Sequence, residues 1–556
     1  MDANRLYYGD NLDILGRYVQ DDSVDLIYLD PPFNSHRAYN VIFKDESGRK
    51  SDAQLLAFED TWHWGPSAES TYAYLTETAR HGGRIPDTVS TLVSALRSAL
   101  GENQMMAYLV EMAIRVVELK RVLKPTGSIY LHCDPTASHY LKVLLDAIFG
   151  ADRFLADIVW RRTTTHSDAK RWSPDADNIL AYTKTQHFTF NPIYSSDSEE
   201  YQEGEYRFKD PDGRRFALGD IASPNPRPNL TYEWKGHAPP PKGWRFSVET
   251  MNRLDSEGRI FDRGPGKRPR VKRYLDEMKG TRVGSVWTDL PNVHPWSAER
   301  LGYPTQKPVS LLERIISASS NPGDVVLDPF CGCGTALIAA QKLGRHWLGI
   351  DITYLAIAVM RARLKDTFGL ADVEVVGQPT EVEGARQLAQ SPEGRYQFQW
   401  WALNLIGAQP MGGVERKGRD RGIDGRITFT GPDRKLESVL VSVKSGHVNS
   451  AQLRDLKGTL QREKAAMGIF LTLEETTRDM RLEAATGGMY RVWERDYPKI
   501  QILTIRDLLE DGRLPILPPL IMPTYQRAQR ERPASEQGAF ELVADQGQDQ
   551  GYGEGA

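Results

Sequence analysis

The run DLIYLD, residues 25–30, ends on a carboxylate and passes straight into Pro31 and Pro32. A short unbroken apolar run reads as a strand buried on both faces. Pro-Pro can neither extend that strand nor begin a helix, because φ is locked and two donors are missing. The chain is therefore held in a stiff, extended elbow at a strand end. The elbow presents the Asp30 carboxylate, the Pro31 carbonyl and the Phe33 ring. In open α/β sheets, strand ends are where ligands bind.

The surrounding rhythm agrees. Residues 1–35 read strand, turn, helix, strand. MAYLVEMAIRVVELKRVL has helical spacing, KPTG stops it, and SIYLHCD is a second buried-type strand ending in an acid. The alternation returns at VSLLERIISAS, DVVLD, TALIAAQKLG, HWLGID and YLAIAVMRARL. Such alternation predicts a doubly wound, Rossmann-like α/β domain. Between the two blocks, residues 160–290 lose periodicity. From Arg161 to Arg282 there are 23 Lys/Arg against 18 Asp/Glu, a local net of +5, while the whole chain carries −4. RGPGKRPRVKR, residues 263–273, holds Lys267, Arg268, Arg270, Lys272 and Arg273 with no acid. That stretch reads either as a solvated loop or as a surface that tracks phosphates.

The second turn of interest is DPFCGCGT, residues 328–335. It is not the three-glycine dinucleotide fingerprint. Asp328 stands where a phosphate would be repelled and a cation would be welcome. Asp351 ends the next strand, where an acid commonly accepts from ribose hydroxyls. A ligand with an amine and a ribose but no phosphate, S-adenosylmethionine, fits this pattern. Beside it, the first elbow suits an exocyclic base amine. Acceptors for both of its hydrogens drive the nitrogen toward sp³ geometry and localise its lone pair, and the aromatic ring stacks on the base. Such a base must first leave the duplex stack. Cys331 and Cys333 read as small side chains in a tight turn rather than a metal pair.

These motifs resemble the amino-methyltransferases of DNA, which carry a D/S-P-P-Y/F/W catalytic word and an F-x-G-x-G cofactor word. Here the words are DPPF (30–33) and DPFCGCGT (328–335). The catalytic word comes first and a long recognition segment lies between, the order of the β class. YYGDNLDIL, GWRFS, YPTQKPVSLLERII and the GID at 349–351 extend the likeness over residues 4–370. The resemblance implies a catalytic loop of Asp30, Pro31, Pro32 and Phe33. It implies cofactor contacts from Asp328, Phe330, Gly332 and Gly334, ribose binding by Asp351, and Asp10 and Lys307 near the cofactor. It makes residues 160–290 the target-recognition region, with double-stranded DNA as partner. The basic residues of 263–273 are candidate DNA contacts, and the loop 163–172, with His166, Lys170 and Arg171, reads either as a further DNA contact or as a plain polar loop. Asp-Pro-Pro-aromatic favours adenine N6, with cytosine N4 as the alternative.

The C-terminal block reads helix, strand, strand, helix, strand. Its IDG…VSVKSG segment resembles the Mrr-type restriction-endonuclease-like fold, in which an Asp and a Glu or Gln two residues before a Lys bind Mg²⁺. Asp424 and Lys444 match. Ser442 replaces the intermediate acid and Gln399 stands at the helix position often held by Glu. Both departures weaken Mg²⁺ binding, with Asp420 or Glu437 as candidate replacements. The expected division is residues 1–370 for the methyltransferase domain, with halves 1–159 and 291–370 around 160–290. A linker (371–394), the endonuclease-like domain (395–520) and a disordered tail (521–556) follow.

Three functional readings stay open: a DNA methyltransferase, a bifunctional restriction–modification enzyme that also cuts using Mg²⁺, and a catalytically idle DNA-binding or scaffolding subunit. A homodimer or a separate restriction subunit are the further partners considered. With 3 cysteines, no signal-type apolar region in MDANRLYYGDN and no run of 18 apolar residues, the chain reads as cytoplasmic, at the bacterial or archaeal nucleoid, with no membrane partner.

Overall fold

The computed structural model describes residues 4–32, 38–44, 50–59, 62–164, 172–195, 199–264, 267–294, 297, 299–301, 303, 305–390, 392–411, 423–431, 434–519 and 521. Phe33, His166, Lys170, Arg171, Asp420 and the expected tail from residue 522 onward lie outside them.

The main sheet has nine strands: β1 (Arg5–Tyr8), β2 (Val24–Leu29), β3 (Leu123–Cys133), β4 (Phe154–Arg161), β5 (Ala176–Thr183), β6 (Val286–Trp287), β7 (Val325–Asp328), β8 (His346–Asp351) and β9 (Val375–Val376). Their spatial order is β6-β4-β5-β3-β2-β7-β8-β1-β9. The six strands from β3 to β9 are mutually parallel, and β5 is antiparallel to both of its neighbours. The α/β expectation holds, and the parallel strands are apolar on both faces. Leu26, Ile27 and Leu29 of β2 and Leu327 of β7 are all fully or almost fully buried.

The order of the strands explains the site. β2 and β7, some 300 residues apart in the chain, lie side by side, with Leu26 opposite Val326 and Ile27 opposite Leu327. Both therefore end on the same sheet edge. β8 lies beyond β7, with Gly349 opposite Asp328. Helix α1 (Asn11–Tyr18) starts from an Asp10 N-cap whose side chain accepts from the Leu12 N–H. Helix α2 (Gln104–Val122) buries twelve residues, one of them the charged Arg115. Helices α3 (Thr335–Lys342) and α4 (Tyr354–Phe368) follow the two cofactor-word strands.

Residues 192–284 form a separate compact unit. Its four-stranded antiparallel sheet runs Ile260–Phe261, Arg270–Tyr274, Arg215–Asp220, Phe208–Lys209, over a small core of Ile221, Trp234, Trp244, Met251 and Val271. The expected recognition region began at residue 160, but β4 and β5 belong to the main sheet. Their apolar alternation was hidden beside a polar loop.

The expected linker, 371–394, is not structureless. Val375 and Val376 pair with β1 as the sheet edge, and helix Val382–Leu388 buries Ala385. Two-residue strands and single-turn apolar contacts leave almost no periodic signal.

The C-terminal part has helix α5 (Pro392–Leu405) and a sheet of β10 (Gln409–Pro410), β11 (Gly425–Thr430), β12 (Leu436–Lys444), β13 (Met467–Thr472) and β14 (Ile500–Thr504), in that order. Helix α6 (Ser450–Glu463) crosses from β12 to its parallel neighbour β13. Phe398, Trp401 and Leu403 share one core with Tyr354, Leu355 and Val359 of α4. The Tyr354 N–H also donates to Gln397 Oε1 at 3.0 Å. Among the described residues, no helix is long and apolar enough to cross a membrane.

Candidate active site

The ends of β2, β7 and β8 open onto one cavity of about 320 Å³. Asp10, Asp30, Pro31, Pro32, Lys307, Asp328, Phe330, Gly332 and Asp351 all line it. Gly334 caps α3 just behind the wall, with φ +76°. The two words of the sequence thus meet in one place.

The cofactor-word turn is built by its acids. Phe330 N–H donates to Asp328 Oδ1 at 3.0 Å, and Gly332 N–H donates to Asp351 Oδ2 at 2.9 Å. The other Asp351 oxygen accepts from the N–H and hydroxyl of Thr353, both at 2.8 Å. Gly332 and Gly334 are required sterically. Both have positive φ, and an added Cβ would meet the Tyr303 ring at 3.2 Å or Met360 Cγ at 2.8 Å.

Burial dominates the electrostatics. Asp328 is 3% exposed, and desolvation pushes its carboxyl up to about 8, with nearby Asp30 and Asp351 adding to the effect. Burial also raises Asp351, against the hydrogen bonds it accepts from Thr353 and Gly332. Three carboxyl groups at adjacent strand ends make a cavity that favours a cation. Asp30 itself pairs with Lys307, Nζ to Oδ2.

Asp10 has a defined place. Its Oδ1 caps α1, and its Oδ2 holds Arg115 at 2.8 Å. Arg115 also donates to Asn11 Oδ1 at 2.8 Å, and Asn11 Nδ2 donates to the Pro329 carbonyl at 2.9 Å. This bridge ties the first βα turn to the cofactor-word turn. Sequence reasoning missed Asn11, Arg115, Tyr303 and Thr353. Asn11 and Tyr303 lie inside the motifs YYGDNLDIL and YPTQKPVSLLERII, and Arg115 is a charge inside the buried stretch MAIRVV.

Of the basic candidates, Arg270 pairs with Asp220 at 3.2 Å and Lys272 with Asp210 at 2.6 Å. Lys267, Arg268 and Arg273 lie on the same segment, and all three are exposed.

In the C-terminal sheet, Asp424, Ser442 and Lys444 do come together. Asp424 accepts from Val443 N–H at 2.6 Å, Ser442 Oγ at 3.3 Å and Gln399 Nε2 at 3.1 Å, with Lys444 Nζ 3.6 Å away. Glu437 does not join them. It sits at the other end of β12, opposite Phe429, where the Tyr490 hydroxyl donates to it. The set offers one carboxylate, already bonded by backbone and amide donors. That set does not suit Mg²⁺, which wants several carboxylate or water oxygens in octahedral geometry. Among the described residues, no group of three or more His, Cys, Asp or Glu is placed to hold a metal ion.

Residues 24–359, more than half of the chain, match a family described as DNA methylase, with N6 and N4 members. The chain belongs to the DNA methylase family. This methylase also carries, at residues 399–510, a match to a family described as NACHT-associated inactive Restriction Endonuclease 1. It is 36% identical over 260 residues to the type II methyltransferase M.EcaI of Enterobacter cloacae, covering 46% of this chain and 57% of that one. It is 25% identical over 370 residues to the Mod subunit of the type III restriction-modification enzyme StyLTI of Salmonella typhimurium, covering 62% and 50%. The chain spans about half the length of the curated relatives it matches. A DNA modification methylase candidate of Thermus thermophilus, solved with S-adenosyl-L-methionine, is similar at 17% identity and a TM-score of 0.32, covering 68% of this chain and 99% of that one.

Proposed function

We propose that this methylase acts on double-stranded DNA, placing a methyl group on the N6 amine of a flipped-out adenine. The observation that carries the reading is the adjacency of β2 and β7, which brings Asp30 and Asp328 to one cavity.

S-adenosylmethionine, when bound, supplies the methyl group. The cavity fits it: buried carboxyls suit an ammonium and a ribose, and the glycines at 332 and 334 leave room that a Cβ would fill. Asp328 holds the amine end, and Asp351 the ribose. Phe330, Gly332 and Gly334 shape the turn around the cofactor, and Asp10 and Lys307 border it. Asp30 and the Pro31 carbonyl accept the two hydrogens of the base amine. That localises the nitrogen lone pair and stabilises positive charge as it develops there. Pro32 stiffens the elbow, and Phe33 stacks on the base. Residues 192–284, with Lys267, Arg268 and Arg273, carry the phosphate-facing surface.

The C-terminal domain, on this reading, does not cut. Asp424, Ser442, Lys444 and Gln399 form a closed hydrogen-bonded cluster in place of a metal site, and the domain serves DNA or partner binding. The chain works in the cytoplasm of a bacterium or archaeon, as a homodimer or beside a restriction subunit.

The test is purified protein with unmethylated duplex DNA and S-adenosylmethionine, in EDTA or in Mg²⁺. Nucleosides are read by mass spectrometry and DNA length on a gel. N6-methyladenine in EDTA, together with DNA left intact in Mg²⁺, supports the whole reading. N4-methylcytosine overturns the choice of base, and Mg²⁺-dependent cutting overturns the closed cluster. Binding without methylation leaves a scaffolding subunit.

A further inference from the structure

Beside Asp30 runs a buried chain of polar groups that the reading above leaves unused. Tyr28 lies two residues before Asp30 on the same face of β2 and lines the cavity. Its hydroxyl is 2.9 Å from His132 Nδ1. His132 Nε2 is 3.2 Å from Asp177 Oδ2, and Asp177 Oδ1 is 3.3 Å from Arg162 Nε. Tyr28, His132 and Asp177 are 2%, 0% and 3% exposed. In the β2–β3 register, Leu29 faces Leu131, so the next step along brings His132 beside Asp30. The Trp160 ring closes over His132 edge-on at 5.7 Å.

The hydrogens in this chain have a forced order. Burial raises the Asp177 carboxyl, but His132, Lys307 and Arg162 together bring it below its ordinary value. An ionised carboxylate only accepts, so His132 Nε2 carries a hydrogen. Burial, with Lys307 nearby, keeps the imidazole neutral. A neutral ring with hydrogen on Nε2 has a bare lone pair on Nδ1. The Tyr28 hydroxyl therefore donates to Nδ1. Its oxygen has only lone pairs left for the cavity.

We propose that Tyr28 is a further catalytic group of this site, facing the target amine with an oxygen whose acceptor polarity is fixed by His132 and Asp177 as positioning residues. This rests on the amine-methylation reading and deepens it. Methyl transfer leaves positive charge on the amine nitrogen. The negative end of a fixed hydroxyl dipole, in a water-poor cavity, stabilises that charge without reorganisation. It also sets base selection. Asp30, the Pro31 carbonyl and Tyr28 form an end of the cavity made of acceptors. An exocyclic amine gives its two hydrogens to Asp30 and the Pro31 carbonyl with the Tyr28 oxygen beside it, whereas the keto oxygen of guanine or thymine is repelled.

Asp177→Asn tests the idea while preserving shape. The Arg162 guanidinium, in charge contact with Oδ1 at 3.3 Å, attracts the amide oxygen, so the amide NH₂ turns to Nε2. The ring hydrogen moves to Nδ1, and the Tyr28 hydroxyl hydrogen swings into the cavity. In single-turnover methylation with saturating cofactor, Asp177→Asn is expected to be slower by about 10- to 100-fold and Tyr28→Phe by about tenfold. Cofactor affinity should stay within about twofold of wild type, because Asp328 and Asp351 are untouched. In the Tyr28→Phe background, Asp177→Asn should cost nothing more, since no hydroxyl remains to turn. Equal cost in both backgrounds would show a merely structural role and overturn the proposal.

A pH profile gives an independent readout. The groups facing His132 are Tyr28, Asp177, Asp30 and Lys307, with Arg162 behind Asp177. Protonating His132 puts hydrogen on Nδ1 and inverts Tyr28, so the wild-type rate should fall on the acid side as His132 titrates. Tyr28→Phe should lack that limb. The same limb in both proteins overturns the proposal even if Asp177→Asn does not fold. A wild type that methylates while these variants show no coupling sinks this inference alone. A wild type that transfers no methyl group sinks the underlying reading.

Discussion

Lys307 reaches across 277 positions of chain to donate from Nζ to Oδ2 of Asp30, with both side chains mostly buried. The pair sets a cation beside two buried carboxyl groups, since Lys307 also lowers the Asp328 carboxyl through space. Removing that charge by Lys307→Met should push Asp328 further above about 8. The expected result is weaker S-adenosylmethionine binding at pH 7, by about tenfold, with most of the loss recovered at pH 9. Calorimetric titration at both pH values checks this. A loss of equal size at pH 7 and pH 9 would mean that Lys307 acts by contact rather than by charge.

Asp30 should matter to chemistry and not to assembly. On the proposed reading, Asp30→Ala removes the acceptor for the amine at the point where charge develops. Methylation should fall by about 10²–10³-fold or more. Duplex affinity by fluorescence anisotropy should change little, because the proposed phosphate contacts lie elsewhere. Retained methylation would move the catalytic acceptor away from the elbow.

Much of this site could be read in the chain, because each word ends a strand. DLIYLD-PP and DVVLD-PF are local signals: an apolar run, an acid, then residues that stop the strand. What could not be read is what strand order creates. Tyr28 and His132 are 104 positions apart, as are Asn11 and Arg115. They meet because β3 pairs with β2 and because α2 packs beside α1. A histidine in an apolar strand carries no mark of its partners. In the same way, Glu437 looked close enough in sequence to replace the acid missing at Ser442, but five residues along a strand is a distance of about 17 Å.

If Asp328 holds the amine end of the cofactor as proposed, its raised carboxyl makes cofactor binding proton-linked. At about 8, against an ordinary 3.8, the group holds its proton at neutral pH in the free protein. An ammonium partner favours the carboxylate. Binding near pH 7 should therefore release up to about one proton. Affinity should rise with pH and level off above pH 8. Binding enthalpies measured in buffers of different ionisation enthalpy report the release directly. Asp328→Asn should abolish it. The sign for stability is opposite. Between 3.8 and about 8 the folded state holds a proton that the unfolded chain has lost, so this group lowers stability as pH rises through that window.

The C-terminal cluster makes a contrasting prediction, because there the acid is used as a hydrogen-bond hub. Asp424 ties the start of β11 to Val443 and Ser442 of β12 and to Gln399 of α5. A metal-binding acid is costly to its fold until the metal arrives, and removing it commonly leaves the fold intact or firmer. A hub is the reverse. Asp424→Ala leaves the Val443 N–H and the Gln399 amide without their acceptor and should destabilise the domain by about 2–3 kcal/mol. That is a drop of several degrees in the melting of this part of the chain. Because Trp401 and Tyr354 share a core, loosening α5 should also reach α4, which starts just after Asp351. Cofactor affinity should weaken modestly in Asp424→Ala and stay unchanged in Lys444→Ala. Calorimetric melting and cofactor titration on the full chain separate these outcomes. An Asp424→Ala protein that melts like wild type would return Asp424 to the role of a metal ligand.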